Sequence, residues 1–509
     1  MERRSVLKGM GGTMAAVGLN PKMALADVGG QRPLNVVFII VDEWRAQALG
    51  CMGNSEIQTP NLDKLASEGM LMRHTLANTP VCCPARSCML TGNYVSKTGM
   101  VANDLRLRES EITMGDLFGK AGYKTGYVGK WHLDGGPRFP GYIPPGRRRH
   151  GFQHWAANEC NHNYFYNWYF RDENVPIVTE EYMPDVWTRL AVEFLYESQD
   201  RPFFLTLSIG APHDPYVVPE KYLKMYDPDK LTMRPNWVEG VAQAGRDKVA
   251  AYYAACTAID DQIGLLMKTL DELGLKDNTI VMFTSDHGNM LGSQGMILKR
   301  KPWEESIRVP GIIRCPKLIE AGQKSDALFC QVDYAPTLLS MCGLPVPSDM
   351  QGSDQSAVVT GKQAKGADAA YFQIFGPYLS SKLKAGWRGV RTERYMYARW
   401  KQGPWLLYDL KNDPYEMKNL VNDPAHASVM KDLDTKLQDW MAKIGDSWDL
   451  NWTFPVEDGP KLWGYRTFYT VPEYLDWAKK NPNLAPGVGR WLKQHPDVPE
   501  DWPAAHEAV

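Results

Sequence analysis

The chain has 509 residues, 44% hydrophobic and 23% charged, with a formal net charge of -2. That length supports one large core plus something smaller. A near-neutral balance excludes a global electrostatic pull toward nucleic acid or an anionic membrane surface, and the basic run Arg147-Arg148-Arg149-His150 reads as a solvated loop.

The first 26 residues read as an address. Arg3-Arg4 open a twin-arginine start, Gly9 to Leu19 is small and weakly apolar, and Ala24-Leu25-Ala26 offers a cleavage site before Asp27. Export to a bacterial periplasm by the twin-arginine machinery is the expectation. No later apolar run reaches membrane-spanning length, so no span is expected. Nine cysteines leave at least one unpaired and show no zinc-ligand spacing.

Asn35 to Val41 is a continuous apolar, β-branched run, as a strand buried on both faces requires. Thr59-Pro60 opens a helix with the threonine as cap. Helical patterns near 112–121, 185–197 and 247–273 alternate with strand-like runs at 124–129, 203–209 and 279–284. The alternation predicts an α/β fold with a mainly parallel central sheet flanked by helices. Beyond about residue 365, strand runs at 369–375, 387–399 and 405–409 lack intervening helices, and a helix is expected over 427–443. This predicts a smaller α+β subdomain with an antiparallel sheet, then a wrapping tail. The expected division is 1–26, 27–365 and 366–509.

The first strand runs into Asp42-Glu43, and the run ending at Ser285 meets Asp286-His287. Acidic pairs at the carboxyl ends of buried strands sit where open α/β sheets bind ligands. An oxygen-rich set suits a hard divalent cation, calcium before magnesium. Either pair alone reads equally as a strand-end cap. Asp260-Asp261, inside a helical pattern, reads as a solvated face.

Cys82 precedes Pro84, a residue suited to the first turn of a helix, which places the cysteine where free N–H groups favour an anion. Arg86 lies one turn on, and Leu90-Thr91-Gly92 follows. Gly129-Lys130-Trp131-His132 and Ala211-Pro212-His213-Asp214-Pro215 each follow a strand, and Lys299 lies thirteen residues past Asp286.

In this order, the blocks resemble the type I, formylglycine-dependent sulfatases of the alkaline-phosphatase-like superfamily. The likeness spans most of residues 34 to 420, ending at Leu406 to Leu410 and Asn412-Asp413-Pro414. It implies that a maturation enzyme oxidises Cys82 to formylglycine. A hydroxyl of its hydrate then attacks sulfur, leaving a sulfo-enzyme intermediate that a histidine-assisted elimination resolves. It implies further that Asp42, Glu43, Asp286 and His287 bind calcium with the modified Cys82. Arg86 and Lys130 orient the diol and sulfate, His132 is the eliminating base, and His213 with Lys299 holds sulfate and assists the leaving oxygen. Glu43 departs from the commoner aspartate, Asn93 from a frequent basic residue, and Cys83 and Cys88 have no assigned role.

Residues 136 to 170 are dense in Arg, His, Trp and Tyr, including Arg147, Trp155, His162, Tyr164 and Tyr166. They would suit a sulfated carbohydrate, or equally pack as an aromatic loop. A phosphonate or phosphate ester hydrolase on the same scaffold, and a non-catalytic sulfated-glycan binding protein, are the competing readings.

Overall fold

The computed structural model describes residues 32–103, 105–135, 141–241, 244–375 and 385–448. The twin-arginine segment and the tail after 448 lie outside these. No helix among the described residues is long and apolar enough to cross a membrane.

The large sheet is built from β1 (Asn35–Val41), β2 (Met70–Leu76), β3 (Lys124–Lys130) and β4 (His154–Asn158). A small ribbon of β5 (Asn167–Tyr169) and β6 (Ile177–Thr179) follows, then β7 (Phe203–Ile209), β8 (Thr279–Ser285), β9 (Arg308–Val309), β10 (Gly311–Arg314) and β11 (Gln323–Cys330). The order across the large sheet is β11-β2-β10-β8-β1-β7-β3-β4, with β9 beside β2. Neighbours β8, β1, β7, β3 and β4 are all parallel, and β10 runs against both β8 and β2. Residues of β1 alternate between two cores, Val36, Phe38 and Ile40 on one face and Val37, Ile39 and Val41 on the other. That two-sided burial accounts for the unbroken apolar run.

The antiparallel sheet is a meander of β12 (Ala370–Ile374), β13 (Trp387–Arg391), β14 (Tyr395–Trp400) and β15 (Gly403–Asp409). The single run expected over 387–399 is two strands, with a turn at Thr392. Helix Ala427–Ile444 buries Leu433, Leu437, Met441 and Ile444.

Three local expectations are corrected. Thr59 makes no side-chain cap; its hydroxyl accepts from Gly50 N–H at 2.9 Å. Helix Pro60–Ser67 is capped instead by Asp260, which accepts from Asn61 and Leu62 N–H at 3.0 and 2.7 Å. Asp260 is therefore buried in helix Arg246–Glu272 rather than solvated, and only Asp261 faces out. The Arg147 to His150 run is no free loop either: Arg147 pairs with Asp116, Arg148 with Asp134 and Arg149 with Asp172, while Arg149 and His150 are buried.

Candidate active site

Adjacent parallel strands β8, β1, β7 and β3 deliver Asp286, Asp42, His213 and Lys130 to one edge of the sheet. Position follows from topology, since the carboxyl ends of parallel neighbours open on the same side. Asp42 N–H donates to Ile209 O at 3.0 Å and Asp286 N–H to Val41 O at 3.1 Å, so both acids ride on the ends of the ladders.

Helix Cys82–Thr91 brings the cysteine in. Pro84 lies in its first turn, where a missing N–H costs nothing, and Gly92 ends it in the left-handed region at φ 66°. Asn93 holds that end, accepting from Gln351 N–H at 3.1 Å and Lys97 Nζ at 3.2 Å. Cys83 and Cys88 belong to the core, and none of the nine cysteines is bridged.

Cys82 Sγ lies 3.1 Å from His287 Nε2 and 3.7 Å from Asp42 Oδ1. Ligand atoms of Asp42, Cys82, Asp286 and His287 all fall within 4.8 Å of one another, and all four residues are buried. His287 Nδ1 is 3.1 Å from Gly288 O, so its proton is held there and the Nε2 lone pair faces the carboxylates. Burial lowers the His287 pKa, with Asp286 opposing. Two carboxylates, a neutral imidazole and the Cys82 position make a donor set that fits a divalent cation.

Arg86 is fully engaged. Its Nε and Nη2 grip Asp286 Oδ2 at 3.1 and 3.0 Å, while Nη1 donates to Ser208 Oγ at 2.7 Å and Lys130 O at 3.1 Å. Lys130 Nζ pairs with Asp42. Burial opposes ionisation of Asp42, but Lys130, His213, Arg86 and His287 together outweigh it and hold the carboxyl well below its usual range.

Glu43 has a left-handed backbone, φ 71°, fixed by its N–H on Asp286 Oδ1 at 3.0 Å and by the Tyr252 hydroxyl on its carbonyl at 2.9 Å. Its carboxylate turns toward Lys299 Nζ at 3.0 Å and His213 Nε2 at 3.1 Å, away from the Cys82 group. Oε1 is buried without a hydrogen-bond partner. With Asp42 and His213 it forms a second group whose ligand atoms lie within 4.8 Å. Burial pushes the Glu43 carboxyl up to about 7, with Lys299 opposing.

Lys299 Nζ also donates to His213 Nε2 at 2.8 Å, so the His213 proton is on Nδ1, 2.7 Å from Asp214 O. Burial, then Lys299, lowers the His213 pKa, in agreement with an imidazole that accepts at Nε2. For Lys299, burial opposes the charge, but Cys82, Glu43 and Asp42 outweigh it and its pKa is raised. His132 is buried and left-handed at φ 56°, its N–H on Glu159 O at 2.7 Å. Three carboxylates (Asp42, Glu43, Asp286) thus meet three fixed cations (Arg86, Lys130, Lys299).

Sequence reasoning missed Ser208, Tyr252 and Gln331, whose amide donates to Asp286 O at 2.7 Å. Each braces the site through two hydrogen bonds that cross more than forty residues of chain, for which no local pattern exists. Of the aromatic-rich segment, Trp155 packs in the core against Tyr127 and Trp131, Tyr164 is buried with its hydroxyl on Gly210 O, and Arg147 is paired to Asp116. His162 reaches the site, its ring stacked on His213 with centroids 3.8 Å apart and planes 7° apart, and the Tyr164 hydroxyl also donates to His213 O.

Comparison with known proteins gives the architecture a relationship. The sulfatase family model matches residues 34–344, and the model for the C-terminal part of N-sulphoglucosamine sulphohydrolase matches 292–443. An ulvan-active sulfatase from Formosa agariphila is 37% identical over 81% of this chain and 82% of its own. An N-acetylglucosamine-6-O-sulfatase from Bacteroides thetaiotaomicron is 28% identical over 82% and 88%. A solved structure in complex with its substrate D-glucosamine-2-N,6-O-disulfate superposes with a TM-score of 0.74 at 26% identity, covering 82% of this chain and 99% of that one.

Proposed function

This chain belongs to the sulfatase family and is a sulfuric ester hydrolase, and from that premise we propose that it removes sulfate from a sulfated carbohydrate at a calcium site whose nucleophile is made from Cys82. The observation that carries the proposal is the convergence of Cys82, Asp42, Asp286 and His287 within 4.8 Å, walled by Arg86, Lys130 and Lys299. Named substrates of the relatives (ulvan, N-acetylglucosamine 6-O-sulfate, a glucosamine disulfate) support a sugar as the alcohol.

Asp42, Asp286 and His287, with the modified Cys82, would hold the cation, and Glu43 adds an unpartnered oxygen on the His213 side. A bound calcium supplies Lewis-acid polarisation of sulfuryl oxygens, and formylglycine at 82 supplies a hydrated aldehyde hydroxyl as nucleophile. The remaining chemistry belongs to this chain's residues. Arg86 holds Asp286 Oδ2 with two donors, Nε and Nη2, and leaves Oδ1 to other partners. Lys130 balances Asp42 and keeps positive charge beside the reacting group. Lys299 holds a proton at Nζ, 2.8 Å from His213 Nε2, where either group can face the leaving alcohol oxygen. His132 is the proposed base for elimination.

The twin arginines and the Ala24-Leu25-Ala26 site support export to a bacterial periplasm, with a maturation enzyme acting on Cys82. Residues 27–365 then form the catalytic part and 366–509 its companion.

Peptide mass spectrometry over residues 74–86 of protein from its own host, paired with sulfate release from a panel of sulfated sugars, tests the proposal. Activity in protein whose Cys82 is wholly unmodified would sink it. Faster turnover of a matched phosphonate ester would favour the competing hydrolase.

A further inference from the structure

Six arginines are buried among the described residues, and five of them meet a carboxylate. Arg86 pairs with Asp286, Arg149 with Asp172, Arg314 with Glu68, Arg388 with Asp446 and Arg391 with Glu304. Arg45 is the sixth. It is 3% exposed, its Nε is sealed from solvent without a hydrogen-bond partner, and its guanidinium donates to no group and pairs with no carboxylate.

The surroundings supply no negative charge. Arg45 follows Glu43 by two residues, but the Glu43 carboxylate is taken by Lys299 and His213. On another side, a Cβ built on Gly288 would lie 3.3 Å from Arg45 Cβ. Groups that feel the Arg45 charge include Tyr216, Tyr252 and Cys256, and burial pushes all three well above their usual values, so each stays protonated and neutral. The two tyrosine rings meet edge to face, centroids 5.6 Å apart. Tyr216 accepts from Asn289 Nδ2 at 2.9 Å, and no described residue takes its own hydroxyl proton. A guanidinium does not shed its proton to escape burial. An ion buried without a partner is costly, and an unmatched buried group calls for a bound water or ion.

We propose that Arg45 holds a small monovalent inorganic anion, of the halide class, as its counter-ion. One fixed positive charge among neutral hydroxyls and a thiol balances one negative charge, which favours chloride over a dianion such as sulfate. This site is separate from the Cys82 centre and independent of which alcohol is released there. Its link to that centre is Tyr252, whose hydroxyl accepts from Arg45 N–H and donates to Glu43 O, both at 2.9 Å. The ion thus steadies the segment that carries Glu43.

The test uses the full calcium-loaded chain, its calcium supplied as gluconate, with chloride titrated against gluconate at constant ionic strength. The wild-type thermal midpoint should rise by about 1–3 °C and then level off. Arg45→Met, which removes the charge and keeps an unbranched stem, should show no saturable rise. Wild-type crystals in bromide should give an anomalous peak within hydrogen-bond distance of the Arg45 guanidinium, a measurement that stands even where the variant fails to fold. No saturable rise in the wild type, an equal rise in both proteins, or bromide bound only elsewhere overturns the site. A larger rise with sulfate than with chloride overturns its monovalent character.

Discussion

Asp42, Glu43 and Asp286 face Arg86, Lys130 and Lys299 at the edge of the large sheet; Glu304, Glu305 and Glu416 face Arg391, Arg308 and Arg234 where the small sheet docks. Both clusters are buried, and each counts three acids and three bases. In the second, Arg391 forks onto Glu304 at 3.0 and 3.3 Å, Arg234 bonds Glu305 at 3.0 Å, and Glu416 receives the Glu304 N–H at 2.8 Å. Its cations are all arginines, of which Arg391 forks onto a carboxylate while Arg234 and Arg308 each make a single Nε contact. In the first, two of the three cations are lysines making point contacts, and ligand atoms of Cys82, His287 and His213 converge on the acids. Equal charge counts therefore mean different things. An all-arginine cluster led by one forked pair docks two sheets, whereas lysine, imidazole and sulfur beside the acids give the other a ligand set.

Breaking the reactive cluster at its centre should have the largest effect. Cys82→Ala should lower kcat by a factor on the order of 10⁴ to 10⁶, measured as sulfate release, with the thermal midpoint little changed. Next in size is Arg391→Ala in the docking cluster. It leaves Glu304 buried and half-paired, so stability should fall by about 3–5 kcal/mol in denaturant titration, while kcat/KM of the remaining folded protein holds. Removing metal separates the clusters again. Chelation should abolish activity and lower the thermal midpoint, and calcium at a hundredfold excess over its Kd should return about 2.7 kcal/mol. The same treatment of Asp286→Asn should move the midpoint far less.

The smallest effect concerns pH. Burial, reinforced by Glu304 and Glu305, raises the Glu416 carboxyl well above its usual value, while Arg391 and Arg308 overcome burial to hold Glu304 at about 2. A raised carboxyl stabilises the fold below its unfolded pKa and loses that contribution as pH rises through the folded one. Glu416→Gln should therefore flatten the fall of the thermal midpoint from mildly acidic to alkaline pH. A fall as steep as in the wild type would remove Glu416 as its source.

Much of this comparison was legible in sequence only on one side. Strand ends at Asp42 and Asp286 could be read because β1 and β8 are long apolar runs, and Cys82 because Pro84 and Arg86 stand at fixed short spacing. The docking cluster was not legible: Glu304 meets Arg391 across 87 residues, and an acidic pair in a short helix looks like any solvated turn. Asp260 and Thr59 failed for the same reason, since the cap of one helix is supplied by another nearly two hundred residues away. The direction of the Glu43 side chain had no signal in the sequence, since its φ of 71° and its contact with Lys299 depend on residues far along the chain. Periodicity reports which face of an element is buried; it carries no account of which distant group arrives there.

The segment leading into Cys82 is pinned from the far end of the chain. Asn78 donates to Tyr371 O at 2.8 Å and its carbonyl accepts from Gln373 N–H at 3.0 Å, which ties the approach to the cysteine to β12, nearly three hundred residues later. Cys82 itself ends 2% exposed. On the proposed conversion of Cys82, access to that sulfur becomes a matter of timing: the oxidising enzyme would have to meet the chain before β12 docks on Asn78.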